Sequence, residues 1–180
     1  ELGWAMSVIG RTGICIEVNQ GDRTLNEARQ ALHYFREQNY WDYYLRLCKN
    51  ITHVYNRLGK YQDIIHLFEK TRAKTGELPE LWARHMGILA NNAGLAYLHL
   101  SLYHDARNHF ELALGNFIKS GKHIGIFIVK GNIADIERNL GNYREALRLY
   151  HEIIAADCYT DSTYDYRVKL NLIECYLMLN

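Results

Sequence analysis

Four asparagines, Asn50, Asn92, Asn132 and Asn171, follow one another at intervals of 42, 40 and 39 residues. A carboxamide offers one acceptor oxygen and two N–H donors, so it can pair with both the C=O and the N–H of an extended peptide without reading its side chains. A row of such groups would form a ladder for a guest main chain, each bond contributing about 0.5–1.5 kcal/mol net, with pockets between the rungs supplying selectivity. The same amide could instead bond a neighbouring helix and set a stacking angle. Both readings follow from the residue type and the interval.

Each asparagine is the second member of a stripe spaced i, i+4, i+7, i+11, one face of a helix. The stripes read Arg46, Asn50, His53, Arg57; then Ile88, Asn92, Leu95, His99; then Ile128, Asn132, Asp135, Asn139; then Arg167, Asn171, Glu174, Met178. Around the first stripe, Arg46, Lys49, His53 and Arg57 are basic. Ile88, Leu95 and Ile128 are apolar, and Asp135 and Glu174 are acidic. Such a gradient predicts a partner peptide with an acidic end and an apolar middle, against the plainer reading of solvated charge on exposed helices.

Other chemistry finds little footing. Among nine histidines, His99, His104 and His109 are spaced by five, which turns successive side chains about 140° apart on a helix and prevents a shared metal ion. No Gly-rich phosphate loop, G-x-S-x-G or H-E-x-x-H occurs, so the segment is read as non-catalytic, with no metal and no cofactor. Lys plus Arg is 21 and Asp plus Glu is 20, a formal charge of +1, which gives nucleic acid little to hold. Tyr40, Trp41, Tyr43 and Tyr44 are therefore expected to pack in a core rather than stack on bases. No apolar run approaches the roughly 20 residues of a membrane span, so no membrane contact is expected and a soluble, cytoplasmic chain is.

The elements that must carry the asparagines are visible as a repeat. Leu58-Gly59-Lys60-Tyr61, Leu100-Ser101-Leu102-Tyr103, Leu140-Gly141-Asn142-Tyr143 and the terminal Leu179-Asn180 recur at the same intervals, and Tyr55, Tyr97 and Tyr176 form a parallel column broken by Glu137. Ile51, Tyr55 and Leu58 precede Gly59, and Tyr61, Ile64, Ile65 and Phe68 follow it at helical spacing, so each unit is a helical hairpin. Gly59, Gly141 and Asn180 suit the left-handed conformation that ends a helix, and Ser101 suits it less well. Thr75-Gly76-Glu77-Leu78-Pro79, Ser120-Gly121-Lys122 and the polar run from Asp157 to Ser162 read as connections between hairpins.

Small residues alternate with large ones where the helices of a hairpin must approach: Gly94, Tyr97, Tyr103, Ala106, Phe110 and Ala113 in the second unit. Here the chain resembles the tetratricopeptide repeat family. The third unit matches through Ala134, Gly141, Tyr143, Ala146 and Tyr150, and the first through Tyr55, Gly59, Tyr61 and Phe68, while Thr52, Ile64 and Thr71 depart from the family's small residues. The resemblance implies an all-α, right-handed superhelical solenoid of helix-turn-helix units over 41–78, 79–121, 122–160 and one helix at 161–180. The period exceeds the family's usual value of about 34 and is similar to that of kinesin light chain and of bacterial peptide-sensing regulators. In such relatives asparagines at this position hold a bound peptide. The clamp that reads chaperone C-termini is half missing: Lys49 and Asn92 correspond, but His53, Ile128 and Asn132 replace its other members.

Residues 1–40 fit the pattern poorly. Leu25, Ala28, Leu32 and Phe35 suggest a helix after Gly21, in a degenerate repeat or cap. Cys15, Cys48, Cys158 and Cys175 form no C-x-x-C pair and are expected as reduced, buried thiols. The resemblance implies a module that binds a peptide or protein segment within a longer signalling or scaffolding protein. Its effector would be a transcriptional domain or an enzyme such as a diguanylate cyclase. Self-association through the uncapped C-terminal helix is a third expectation.

Overall fold

The computed structural model describes residues 1–14, 21–75, 82–156 and 162–180, and among these it contains only helices, turns and short connections. The helices are α1 (Leu2–Ile14), α2 (Gly21–Glu37), α3 (Trp41–Arg57), α4 (Tyr61–Thr75), α5 (Ala83–His99), α6 (Tyr103–Lys119), α7 (His123–Asn139), α8 (Tyr143–Ala155) and α9 (Ser162–Leu179). The odd-numbered helices α1, α3, α5, α7 and α9 stack in series, and each even-numbered helix packs against the odd-numbered helices on either side of it. This is an all-α solenoid of hairpins.

Local chemistry sets the turns. Gly59 and Gly141 have φ of 66° and 80°, and each closes the preceding helix with a paired bond: Lys60 N–H donates to Tyr55 O at 2.9 Å, and Asn142 N–H to Glu137 O at 2.8 Å. Ser101 adopts the same conformation at φ 59°, with Leu102 N–H on Tyr97 O at 2.9 Å, in spite of its Cβ. Because the acceptor in each turn is a backbone carbonyl, Glu137 can replace tyrosine without disturbing the turn. Its buried carboxylate instead takes Arg107 from α6 and the side-chain amide of Asn142. Asn180 does not share the left-handed conformation; its amide bonds the carbonyl of Tyr176. Asn39 does share it, ending α2 as the glycines end α3 and α7.

The core runs between the layers. Phe35, Phe68, Phe110 and Tyr150 are fully buried, opposed by Ala106, Ala113, Ala134 and Ala146, also fully buried. At Gly94 a Cβ would stand 2.6 Å from the Phe110 ring, so the α5–α6 approach needs a residue without one. The first unit departs from small residues at Thr52 and Thr71 for a reason: both hydroxyls are buried and bonded, Thr52 to Lys49 O and Thr71 to Cys48 Sγ. In the N-terminal hairpin Leu25, Ala28, Ala31 and Phe35 are buried and Leu32 is only partly so. Tyr44 is buried and Tyr43 packs on Phe35 at 5.5 Å, whereas Tyr40 is exposed, so the aromatic cluster seals the α2–α3 junction with one member outside. The 76–81 connection, most of 157–162, and Cys15 and Cys158 lie outside the described residues. Cys48 and Cys175 are free and buried.

Candidate functional site

The four asparagines fall on α3, α5, α7 and α9 at matching heights, and each donates its Nδ2 to the preceding odd-numbered helix. Asn50 bonds Ile9 O at 2.9 Å, Asn92 bonds Thr52 Oγ1 at 2.7 Å, Asn132 bonds Asn91 Oδ1 at 2.8 Å, and Asn171 bonds Asp135 Oδ1 at 2.8 Å. Asn132 is buried outright and the other three are partly buried. The ladder reading therefore needs correction. Amides that would hold a guest main chain are engaged between repeats, because first helices stacked in register bring an acceptor within reach of each one.

Asp135 is likewise not a groove anion. It is buried, accepting Tyr150 Oη at 2.5 Å and Asn171 Nδ2, and paired with Arg167. A buried carboxylate is tolerated when its oxygens are so occupied. Burial and the adjacent Asp135 charge push the Tyr150 phenol well above its ordinary range. Glu174 is exposed, but both its oxygens lie 2.9 Å from Nη1 of Arg138 on α7. Both acids of the expected acidic pole are thus paired with arginines.

Arg46, His53 and Arg57 are exposed on α3, Lys49 is half-buried beside them, and Arg46 lies 3.9 Å from Asp42. Desolvation, with Lys49 adding repulsion, lowers the His53 pKa although the ring is solvent-accessible, a combination that suits a concave wall. Ile88 and Leu95 are half-buried against the core, and Ile128 is half-buried on α7. His99 stacks on Tyr61 at 4.6 Å, and no metal-binding group of His, Cys, Asp or Glu occurs among the described residues.

One member escaped the sequence reading. His85 on α5 reaches Asp42 on α3 at 3.2 Å, and its Nδ1 is buried with no hydrogen-bond partner. Burial lowers its pKa against the pull of Asp42. It stands one turn before Ile88 on the same stripe, the signal that could have found it.

Residues 85–158 match the tetratricopeptide repeat model. The hairpins of this stretch are similar to tetratricopeptide repeats. Solved structures agree over a wider span. The apo form of RapI superposes with a TM-score of 0.78 at 24% identity, covering 93% of this chain and 46% of RapI. BtubC (BKLC) from P. vanneervenii gives 0.74 at 17% identity, covering 89% of this chain and 66% of that one. A candidate kinesin light chain from Podosopora anserina, with nearly identical TPR-like repeats, gives 0.69 at 12% identity over 98% and 85%. At these identities the likeness is one of fold, and the chain spans a little under half the length of RapI. No curated protein matches the sequence. No helix among the described residues is long and apolar enough to cross a membrane.

Proposed function

We propose that this chain is a protein-interaction module of tetratricopeptide-like hairpins that takes an extended peptide or partner segment on the face made by its odd-numbered helices. The observation that carries this reading is the row of Ile88, Leu95 and Ile128, which stay partly solvent-accessible while the asparagines beside them are engaged internally. With Arg46, His53 and Arg57 exposed on α3, the face presents a basic end and an apolar middle, which suits a segment with acidic residues ahead of apolar ones. Selectivity then comes from side-chain pockets rather than from an amide ladder. The likeness to RapI and kinesin light chain folds supports a sensory or scaffolding part of a longer protein.

Selection from a random peptide display library against the chain tests the reading. Acidic and apolar peptides that lose at least tenfold in affinity to both Arg57→Glu and Leu95→Asp support it. Peptides that bind both variants as well as the parent overturn it.

A second reading, self-association, is favoured by the exposed row Tyr166, Leu170, Ile173 and Leu177 along α9. Light scattering decides it: a dimer that becomes monomeric on Ile173→Glu with Leu177→Glu supports it, and a monomer at high concentration removes it.

A further inference from the structure

Helices α2 and α4 both pack on α3, and between them lies a cavity of about 290 Å³. Its walls carry one sign of charge. Arg29, His33 and Arg36 fall at i, i+4, i+7 on α2, and Lys70 and Lys74 at i, i+4 on α4, so helical geometry turns all of them into the same cleft. The floor is the buried ring of Tyr44, and Leu32 and Leu67 supply the apolar part of the lining.

Four cations line the cleft: Glu37 takes Nε and Nη2 of Arg36 at 3.0 and 2.6 Å, and Arg29 gives Nη1 to Asn26 Oδ1 at 3.2 Å. Among the described residues no ion pair bridges α2 to α4. Elsewhere along the solenoid some charges are matched between helices: His109 of α6 meets Glu69 of α4 at 3.4 Å, and Arg107 of α6 pairs with buried Glu137 of α7. Desolvation first, and then the charges of Arg36 and Lys70, lower the Lys74 pKa, with Glu37 pulling the other way, which places the cations of the two walls within electrostatic reach of one another. A cleft lined by one sign concentrates counter-ions.

The chemistry of a fitting counter-ion follows from donor type and length. Arginine forks and lysine ammoniums together offer more N–H donors than one carboxylate has oxygens. A phosphoryl group brings more charge and more acceptor oxygens. The Arg29-to-Arg36 row runs about 10 Å along the helix at 1.5 Å per residue, longer than one phosphate. We propose that the cleft between α2 and α4 is a binding site for a compact polyphosphate anion, two or more phosphoryl groups in series, held by Arg29 and Arg36 on one wall and Lys70 and Lys74 on the other. The site is separate from the peptide-binding face and does not depend on it.

Calorimetric titration of the 180-residue chain with inorganic pyrophosphate at physiological salt tests this directly, with ADP and citrate in parallel. Saturable pyrophosphate binding is expected, at least tenfold weaker in Lys70→Gln with Lys74→Gln and within twofold of the parent in Lys119→Gln with Lys122→Gln, which are remote from the cleft. The unliganded Lys70→Gln, Lys74→Gln chain should melt no lower than the parent, since repulsion has been relieved, so a loss of binding is not a loss of fold. ADP binding equal to pyrophosphate means that the diphosphate alone is read. ADP binding more than tenfold tighter assigns the anion to a nucleotide whose base rests on Leu32 and Leu67. Citrate binding as well as pyrophosphate, no saturation below millimolar concentration, or equal weakening by the remote pair overturns the proposal.

Discussion

Asn132 on α7 gives its side-chain N–H to the side-chain oxygen of Asn91 on α5, 2.8 Å away and forty-one positions earlier in the chain. Three further asparagines make the same reach, but their acceptors are a backbone carbonyl, a hydroxyl and a carboxylate. The donor recurs and the acceptor does not. Such a column ties each first helix to the one before it.

Asn132→Ala should therefore destabilise the chain by about 0.5–1.5 kcal/mol, since it removes the bond from buried Asn132 to the half-buried oxygen of Asn91. Urea unfolding with an unchanged m value checks the size of the loss. Full stability in this variant, accompanied by loss of a bound peptide, would restore the ladder.

Asp135 ties α7 to both α8 and α9 through Tyr150, Arg167 and Asn171. Tyr150→Phe and Asp135→Asn should each destabilise, and the double variant should lose less than the two together, with a coupling of about 0.5–3 kcal/mol. Strict additivity in urea would show that the short bond between them carries no energy.

Alkaline pH should loosen the first hairpin. Burial raises the Cys48 thiol from an ordinary 9.0 to about 12 and the Tyr44 phenol from 10.0 to about 12. Both folded values lie above the unfolded ones, so the stability they contribute is complete below pH 9 and is lost as pH climbs from 9 towards 12. Urea midpoints at pH 8, 9.5 and 10.5 should fall in that order. In the native chain at pH 8.5, the peptide carrying Cys48 should escape iodoacetamide, as read by mass spectrometry.

Two glycines should respond in opposite directions. Gly94→Ala drives a methyl group against the buried Phe110 ring and should cost about 1–3 kcal/mol. Gly115 sits inside α6, and nothing lies within 4 Å of the point where a methyl group would stand, so Gly115→Ala should stabilise by about 0.5–1 kcal/mol. Thermal unfolding of the pair checks both signs.

The hairpins after residue 40, the turns at Gly59 and Gly141 and the register of the asparagines were legible in the residues, because helical period, left-handed turn residues and small-large alternation are local properties that the repeat displays several times, whereas the left-handed Asn39 and the ordinary backbone of Asn180 were not. The direction of the amides was not. It depends on how closely one first helix lies on the one before, and Ile9, Thr52, Asn91 and Asp135, the groups that receive them, share no pattern that a search along the chain could detect. The charge of the groove was lost for the same reason: Asp135 and Glu174 read as a negative pole until the fold brought in Arg167 from 32 residues and Arg138 from 36 residues away. Periodicity alone decided what each helix is. Which polar groups remain for a partner was decided by packing, since a buried donor or charge takes whatever acceptor or counter-ion the neighbouring repeat supplies.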